Sequence, residues 1–249
     1  MRRTFLAMAA ALLALTTLVG CSAGSDTLRI GTEGTYSPFS FQGPDGELTG
    51  YDVEVARAVG GKLGREVEFV QTPWDSIFAA LESQRIDLVA NQVTINDERK
   101  ARYDLSTPYT VSEGVIVTRA DDTAISTLAD LQGRTTAQSA TSNWAEVARG
   151  AGANVEAVEG FVQAVRLLKD GRVDATVNDT LAVGEYEKTT GDRGVKVAGT
   201  TGDTSEQAFA ARKDSGLIAE VDRALAELKA DGTLEQLSEK YFGADVSGR

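Results

Sequence analysis

The sequence contains no histidine and only one cysteine, Cys21. Without imidazole there can be no Ser-His-Asp triad, no histidine general base and no histidine-ligated metal. A single cysteine excludes a disulfide framework and a thiolate metal site. Neither a Gly-x-Ser-x-Gly elbow nor a Walker-type phosphate loop occurs, and Gly150-Ala-Gly152 lacks the third glycine of a dinucleotide fingerprint. No cofactor and no metal are expected. Positive charge is also short: 25 Lys and Arg stand against 37 Asp and Glu, a formal charge of −12. Such a surface repels phosphate backbones, which argues against a nucleic-acid partner.

What is present begins with an export signal. Met1-Arg2-Arg3 supplies a basic start, Phe5 to Leu18 an apolar run, and no acidic residue lies in the first twenty positions. That run is short for a membrane span and has the layout of a signal peptide. Leu18-Val19-Gly20-Cys21 resembles a bacterial lipobox, which implies cleavage before Cys21 and lipid attachment there. The other reading is an ordinary signal peptide that contains a cysteine. Residues 22–26 read as a short flexible tether. Removing Arg2 and Arg3 with the signal takes the 25 basic residues to 23 against 37 acidic ones, a formal charge of −14.

The mature chain is long enough for one large or two medium α/β domains. Leu28 to Gly31 reads as a first strand, Glu66 to Val70 as a second and Ile86 to Ala90 as a third, with one acidic interruption at Asp87. Between them, Thr49-Gly-Tyr-Asp52 has capping-box spacing ahead of a helix with Val55, Ala56, Val59 and Leu63 on one face. Pro73-Trp-Asp75 opens another helix, with Ile77, Phe78 and Leu81 inward. Strand, helix, strand, helix, strand predicts a parallel sheet covered on both faces. A second such series runs from Arg134 to Val177, after the apolar stretch Val111 to Thr118 and the polar break Arg119 to Thr123.

The third strand ends in Asn91-Gln-Val-Thr-Ile, followed by Asp97-Glu-Arg-Lys. Asn91, Gln92 and Thr94 therefore stand at a strand's carboxyl end, where open α/β sheets bind ligands. Arg99 follows, and its planar fork can grip a carboxylate through two parallel hydrogen bonds. The same charged run could instead be the solvated face of a short helix. In the second series, Gln138 to Asn143 joins a strand to a helix start, where free N–H groups favour an anion. Thr141 and Ser142 could equally cap that helix, and Asp179 could be an N-cap of the next. Tyr36 and Trp74 could wall a pocket or pack in the core.

These residues carry a resemblance. Asn91-Gln-Val-Thr-Ile, Asp97-Glu-Arg-Lys, Tyr103-Asp and Ser106-Thr-Pro-Tyr109 resemble the signature of the polar amino-acid solute-binding proteins of ABC importers. Glu33-Gly-Thr-Tyr-Ser-Pro-Phe-Ser-Phe41 resembles the loop of the cystine-binding members, and Asp231 to Gly243 the family's closing helices. The resemblance covers residues 27 to 246 and departs at Ala137 and Ser139. It implies the two-lobed periplasmic-binding-protein type II fold, with parallel-rich sheets flanked by helices and a two-strand hinge. Lobe 1 would comprise 27–117 and 212–249, and lobe 2 residues 118–211, with Gln207 to Ala211 in the return crossing. The resemblance further implies that Arg99, Thr94 and the helix start at Thr141 and Ser142 clamp a ligand carboxylate while Asp179 accepts its ammonium. Trp74 and Tyr36 would wall the site, with Asn91 and Gln92 beside them. Glu33 is the candidate for a distal ammonium of a long, double-ended ligand. The expected protein is a monomeric, lipid-anchored, extracytoplasmic binding protein that delivers an amino acid, L-cystine foremost, to an ABC permease. The alternatives are a cyclohexadienyl dehydratase-like enzyme, with Glu33 or Asp179 as its acid, and a ligand-sensing subunit of a membrane receptor.

Overall fold

The computed structural model describes residues 27–248. The expected signal peptide, Cys21 and the tether lie outside the described residues.

The first half runs β1 (Thr27–Thr32), β2 (Thr35–Tyr36), β3 (Ser40–Gln42), β4 (Leu48–Thr49), α1 (Tyr51–Leu63), β5 (Glu66–Gln71), α2 (Trp74–Glu82), β6 (Leu88–Thr94), α3 (Asp97–Arg102) and β7 (Tyr103–Leu105). The second runs β8 (Thr110–Arg119), a 3-10 turn at Leu128–Leu131, β9 (Thr135–Gln138), α4 (Asn143–Gly150), β10 (Asn154–Ala157), α5 (Phe161–Lys169), β11 (Ala175–Asp179) and α6 (Thr180–Thr190). The chain then returns through β12 (Val195–Arg212) to α7 (Leu217–Ala230) and α8 (Thr233–Phe242). β1 pairs in parallel with β5 and β6, and β9 in parallel with β10 and β11. Such strands are buried on both faces, so helices must cover them. Val55, Val59, Val221, Leu225 and Leu234 seal one face of the first half. Ile77, Leu81, Ile86 and Val93 seal the other. This is the α/β architecture that the strand–helix alternation predicts.

Two long antiparallel strands tie the halves together. β8 and β12 pair from Arg119 with Val195 to Thr110 with Gln207, with register shifts between Val197 and Gly199 and between Thr200 and Thr204. Gly114 to Thr118 of β8 also pair with β11, and Gln207 to Ala211 of β12 pair with β6. The stretch between the halves is therefore 110–113 beside 204–207. The polar break Arg119 to Thr123 falls at the end of β8 and in the turn after it, where the Ala120 amide donates to Gly194 O (3.0 Å).

Two local expectations need correction. The residue before α1 is Gly50 at φ 126, with no side-chain cap. A Cβ there would collide with the Phe39 carbonyl, so the loop crossing at that point admits only glycine. Thr49, expected as the cap, bonds Glu54 Oε1 (3.4 Å) and the Tyr241 hydroxyl (3.2 Å). Asp87 is not inside the third strand but precedes it. There it takes Arg29 Nη2 at 2.8 Å, with Arg212 Nη2 at 3.5 Å, so the charge stays outside the strand.

Candidate functional site

A cleft lies between the two halves. The first half lines it with Glu33, Tyr36, Trp74, Asn91, Gln92 and Thr94, and the second with Gln138, Ser142, Trp144, Phe161, Asn178 and Asp179. Glu33 stands just past β1, Tyr36 in β2 and Trp74 at the start of α2. Asn91, Gln92 and Thr94 lie in the carboxyl-terminal part of β6, which runs on through Thr94, the end of a strand where the open-sheet rule places ligands.

Behind the first-half wall lies a buried carboxylate. Asp52 is fully buried on α1 and accepts from Gln92 N (2.7 Å) and Gln92 Nε2 (2.6 Å). This double grip holds Gln92 at φ 49, a left-handed conformation that a non-glycine residue keeps only when its surroundings impose it. Asn91 ties the neighbouring loop. Its Oδ1 accepts from Glu33 N (2.8 Å) and Thr32 Oγ1 (3.0 Å), and its Nδ2 donates to Glu33 Oε2 (2.6 Å). Asn91 and Gln92 thus shape the loops that present Glu33.

Arg99 is buried on α3, which Asn96 caps by accepting Arg99 N at 2.8 Å. Its guanidinium stacks 5.1 Å from the Trp74 ring centroid and 5.8 Å from that of Phe78, and Nη1 donates to Thr94 O (2.9 Å). Among the described residues no carboxylate lies within ion-pair distance of it. Burial depresses its pKa to about 10, against the pull of Glu146 and Glu98. The charged run is therefore a helix, but one that turns its central arginine inward.

In the second half, Ser142 caps α4 by accepting from Ala145 N (3.1 Å). Thr141 does not cap it. Its N–H (3.0 Å) and Oγ1 (2.6 Å) both donate to Asp75 Oδ1 on α2. The amino end of α4 therefore already receives a carboxylate oxygen, as free helix-start donors should. Asp179, 3 % exposed, caps α6 by accepting Leu181 N at 2.8 Å, while Oδ2 accepts from Ser112 Oγ. The Tyr36 hydroxyl reaches across to Asn178 Oδ1 (2.8 Å), so Tyr36 both packs and bridges the halves.

Of the ten binding residues read from the sequence, the fold gathers Glu33, Tyr36, Trp74, Asn91, Gln92, Thr94, Ser142 and Asp179 at one cleft. Arg99 and Thr141 line an adjoining recess with Asp75, Glu98 and Glu146. Trp74, which Arg99 stacks on, belongs to the cleft's own lining. Sequence reasoning missed Trp144, Ser112 and the role of Asp52. A signal existed for the first: Trp144 lies in the first turn of α4, as Trp74 lies in that of α2.

Burial pushes the carboxyls of Glu33 and Asp52 up to about 7 and that of Asp179 up to about 6, against the hydrogen bonds from Asn91, Gln92 and Ser112 respectively. In the unfolded chain these groups ionise near about pH 4. Their contribution to folding is thus complete below that pH and lost as pH rises through about 6 to 7. The unliganded protein's unfolding midpoint is expected to fall between about pH 5 and about pH 7.5. A midpoint that climbs steadily over that window would contradict the assignment.

Three side chains lining the cleft hold buried polar atoms without a hydrogen-bond partner: Trp74 Nε1, Gln92 Oε1 and Gln138 Oε1. Buried polar groups are otherwise almost always paired, so polar capacity is left over in the lining of this cleft. The profile of the bacterial extracellular solute-binding proteins, family 3, matches residues 28–244. The chain belongs to that family. It is similar to the L-cystine-binding protein TcyA of Bacillus subtilis (strain 168), at 50 % identity over 88 % of this chain and 82 % of that one. It is also similar to an ancestral arginine-binding protein bound to arginine, with 38 % identity, a TM-score of 0.81 and coverage of 88 % and 99 %. A third match is the L-cystine solute receptor of Neisseria gonorrhoeae in its unliganded open conformation, with 45 % identity, a TM-score of 0.60 and coverage of 90 % and 95 %. The ligand-bound structure overlaps better despite its lower identity. In this solute-binding protein the bonds Tyr36–Asn178 and Thr141–Asp75 join the two halves across the cleft. The family is extracellular, and among the described residues no helix is long and apolar enough to cross a membrane.

Proposed function

We propose that this amino-acid solute-binding protein captures L-cystine by closure of two lobes and delivers it to an ABC permease, while a lipid on Cys21 holds it at the outer face of the membrane as a monomer. The observation that carries the reading is the presence of opposite charges in the cleft and in the recess that adjoins it. A buried guanidinium, Arg99, with no carboxylate at ion-pair distance among the described residues, stands in the adjoining recess, and a buried carboxylate, Asp179, lines the cleft. An amino acid complements both. Its carboxylate would take the donors of Thr141 in place of Asp75, together with Thr94 and Arg99, and the start of α4 at Ser142 would add its dipole. Its ammonium would meet Asp179. Glu33, held by Asn91, would meet a distal ammonium.

The lobes, 27–117 with 212–249 and 118–211, would close about β8 and β12. The pairing of Gly114 to Thr118 with β11 supports a pivot slightly before residue 118. Closure is driven only by the ligand's higher affinity for the closed state, and contact with both lobes supplies that difference.

The test is calorimetric titration of the soluble chain starting at Ser22 with the standard amino acids and with cystine under non-reducing conditions. Selective, tight heat with cystine is expected. Preference for another amino acid would keep the clamp and discard cystine, and silence across the panel would remove the binding reading. Prephenate and arogenate should be returned unchanged. Their turnover would instead make Glu33 or Asp179 an acid catalyst.

A further inference from the structure

We infer that Trp144 is a specificity-determining wall of the cleft, selecting amino acids with a long, sulfur-bearing side chain over short ones; the inference rests on the amino-acid-binding reading above. The chain has only two tryptophans. Trp74 begins α2 and Trp144 is the second residue of α4; they come from opposite halves, and both line the cleft. Trp74 is buried, whereas Trp144 is only half-buried, with Phe161 beside it in the second-half lining.

The strand beneath Trp144 is cut to fit it. A Cβ on Gly114 would come within 2.5 Å of Trp144 Cζ3 and 2.7 Å of Thr201 Oγ1. No positive φ explains the glycine, so its role is room: the indole edge lies on the backbone of β8. Gly114 is the register partner of Asp179 across β8 and β11. The ring therefore passes over the strand pair that carries the expected ammonium acceptor. Its other side packs on the cluster of Ile116, Ala148 and Val177, which fixes its position.

A rigid aromatic wall at this place has a definite chemical preference. Ligand sites are lined mainly by apolar and aromatic surface, with a few polar groups fixing orientation. An α-amino acid held by its ammonium at Asp179 must pass its side chain along the cleft between Trp74 and Trp144. A thioether or disulfide there gains a sulfur–aromatic contact with both rings. A short side chain reaches neither and leaves the wall uncovered.

The experiment is calorimetric titration of wild type, Trp144→Ala, Trp144→Phe and Gly114→Ala, each in the soluble chain, with L-cystine and with the shortest amino acid that the wild type binds. Trp144→Ala is expected to weaken cystine by roughly tenfold, the scale of one aromatic–sulfur contact, and the short ligand far less. Trp144→Phe should restore most of the preference. Gly114→Ala, by displacing the ring, should behave like Trp144→Ala; should it fail to fold, the Ala and Phe variants at 144 decide alone. An unchanged ratio of the two affinities in Trp144→Ala would overturn the inference while leaving the binding function intact. So would a wild type that prefers an amino acid lacking sulfur. A wild type that binds no amino acid would remove the reading on which the inference stands.

Discussion

Arg99→Met is expected to abolish amino-acid capture at micromolar concentrations while leaving the unliganded protein at least as hard to unfold as the wild type. The two effects part because of how the guanidinium is held. It is 7 % exposed, stacks on Trp74 and Phe78, and makes one side-chain hydrogen bond, to Thr94 O. Desolvation of a cation is expensive, and without a carboxylate against it the folded protein recovers little of that cost. Methionine keeps most of the apolar volume between the two rings and removes the charge, a change that is often neutral or stabilising. For a ligand the sign reverses. A carboxylate brought into a desolvated recess without its guanidinium loses about 3 to 5 kcal/mol, more than 100-fold in affinity. Titration calorimetry and thermal unfolding of the same sample measure both quantities. Retained affinity would refute the clamp. A collapse in the unfolding midpoint would make Arg99 a folding residue.

Asp179→Asn tests the other end. The carboxylate serves two structural bonds, the α6 cap to Leu181 N and the bond from Ser112. Asparagine is as good an N-cap as aspartate, so α6 should remain intact. At neutral pH the variant need not ionise a buried group whose carboxyl lies at about 6, which favours the unliganded fold. Removing the charge opposite a ligand ammonium is expected to cost about 2 to 5 kcal/mol of affinity. The pH dependence should change as well. In the wild type, affinity rises as pH increases through about 6, because the ammonium needs the carboxylate. Unliganded stability falls over the same range, because the buried carboxylate is unfavourable without its partner. In the variant the rise near pH 6 should disappear. Persistence of that rise would move the titrating role to Glu33 or Asp52, whose carboxyls lie at about 7.

The opposing pH trends have a common physical origin in a site built of buried charge. Glu33, Asp52 and Asp179 all resist ionisation in the folded protein, and Arg99 is pulled down toward 10 by the same desolvation. Sites that hold charges away from water stay partly unsatisfied until a complementary ligand arrives. The unpartnered atoms of Trp74, Gln92 and Gln138 belong to the same pattern. Among them Gln92 also joins the hidden support to the cleft, since its backbone and side chain both rest on Asp52.

The amino-acid sequence by itself determined the strand–helix alternation, the class of fold and most of the cleft lining. Apolar runs of strand length ending in Asn91, Gln92 and Thr94, or in Asn178 and Asp179, announce local geometry, because a side chain at a strand's carboxyl end needs no distant partner to be placed there. The absence of histidine and of a second cysteine was equally decisive, since it removed whole classes of chemistry. Only the tertiary structure decided which polar groups meet. Thr141 finds Asp75 across 66 positions, Gln92 finds Asp52 across 40, and Tyr36 finds Asn178 across 142. Hydrophobic periodicity tells a side chain which way to face, but not what it will find there. For the same reason Trp144 over Gly114 was invisible along the chain: close packing between elements depends on the paths of two backbones, and those are fixed only when the halves come together.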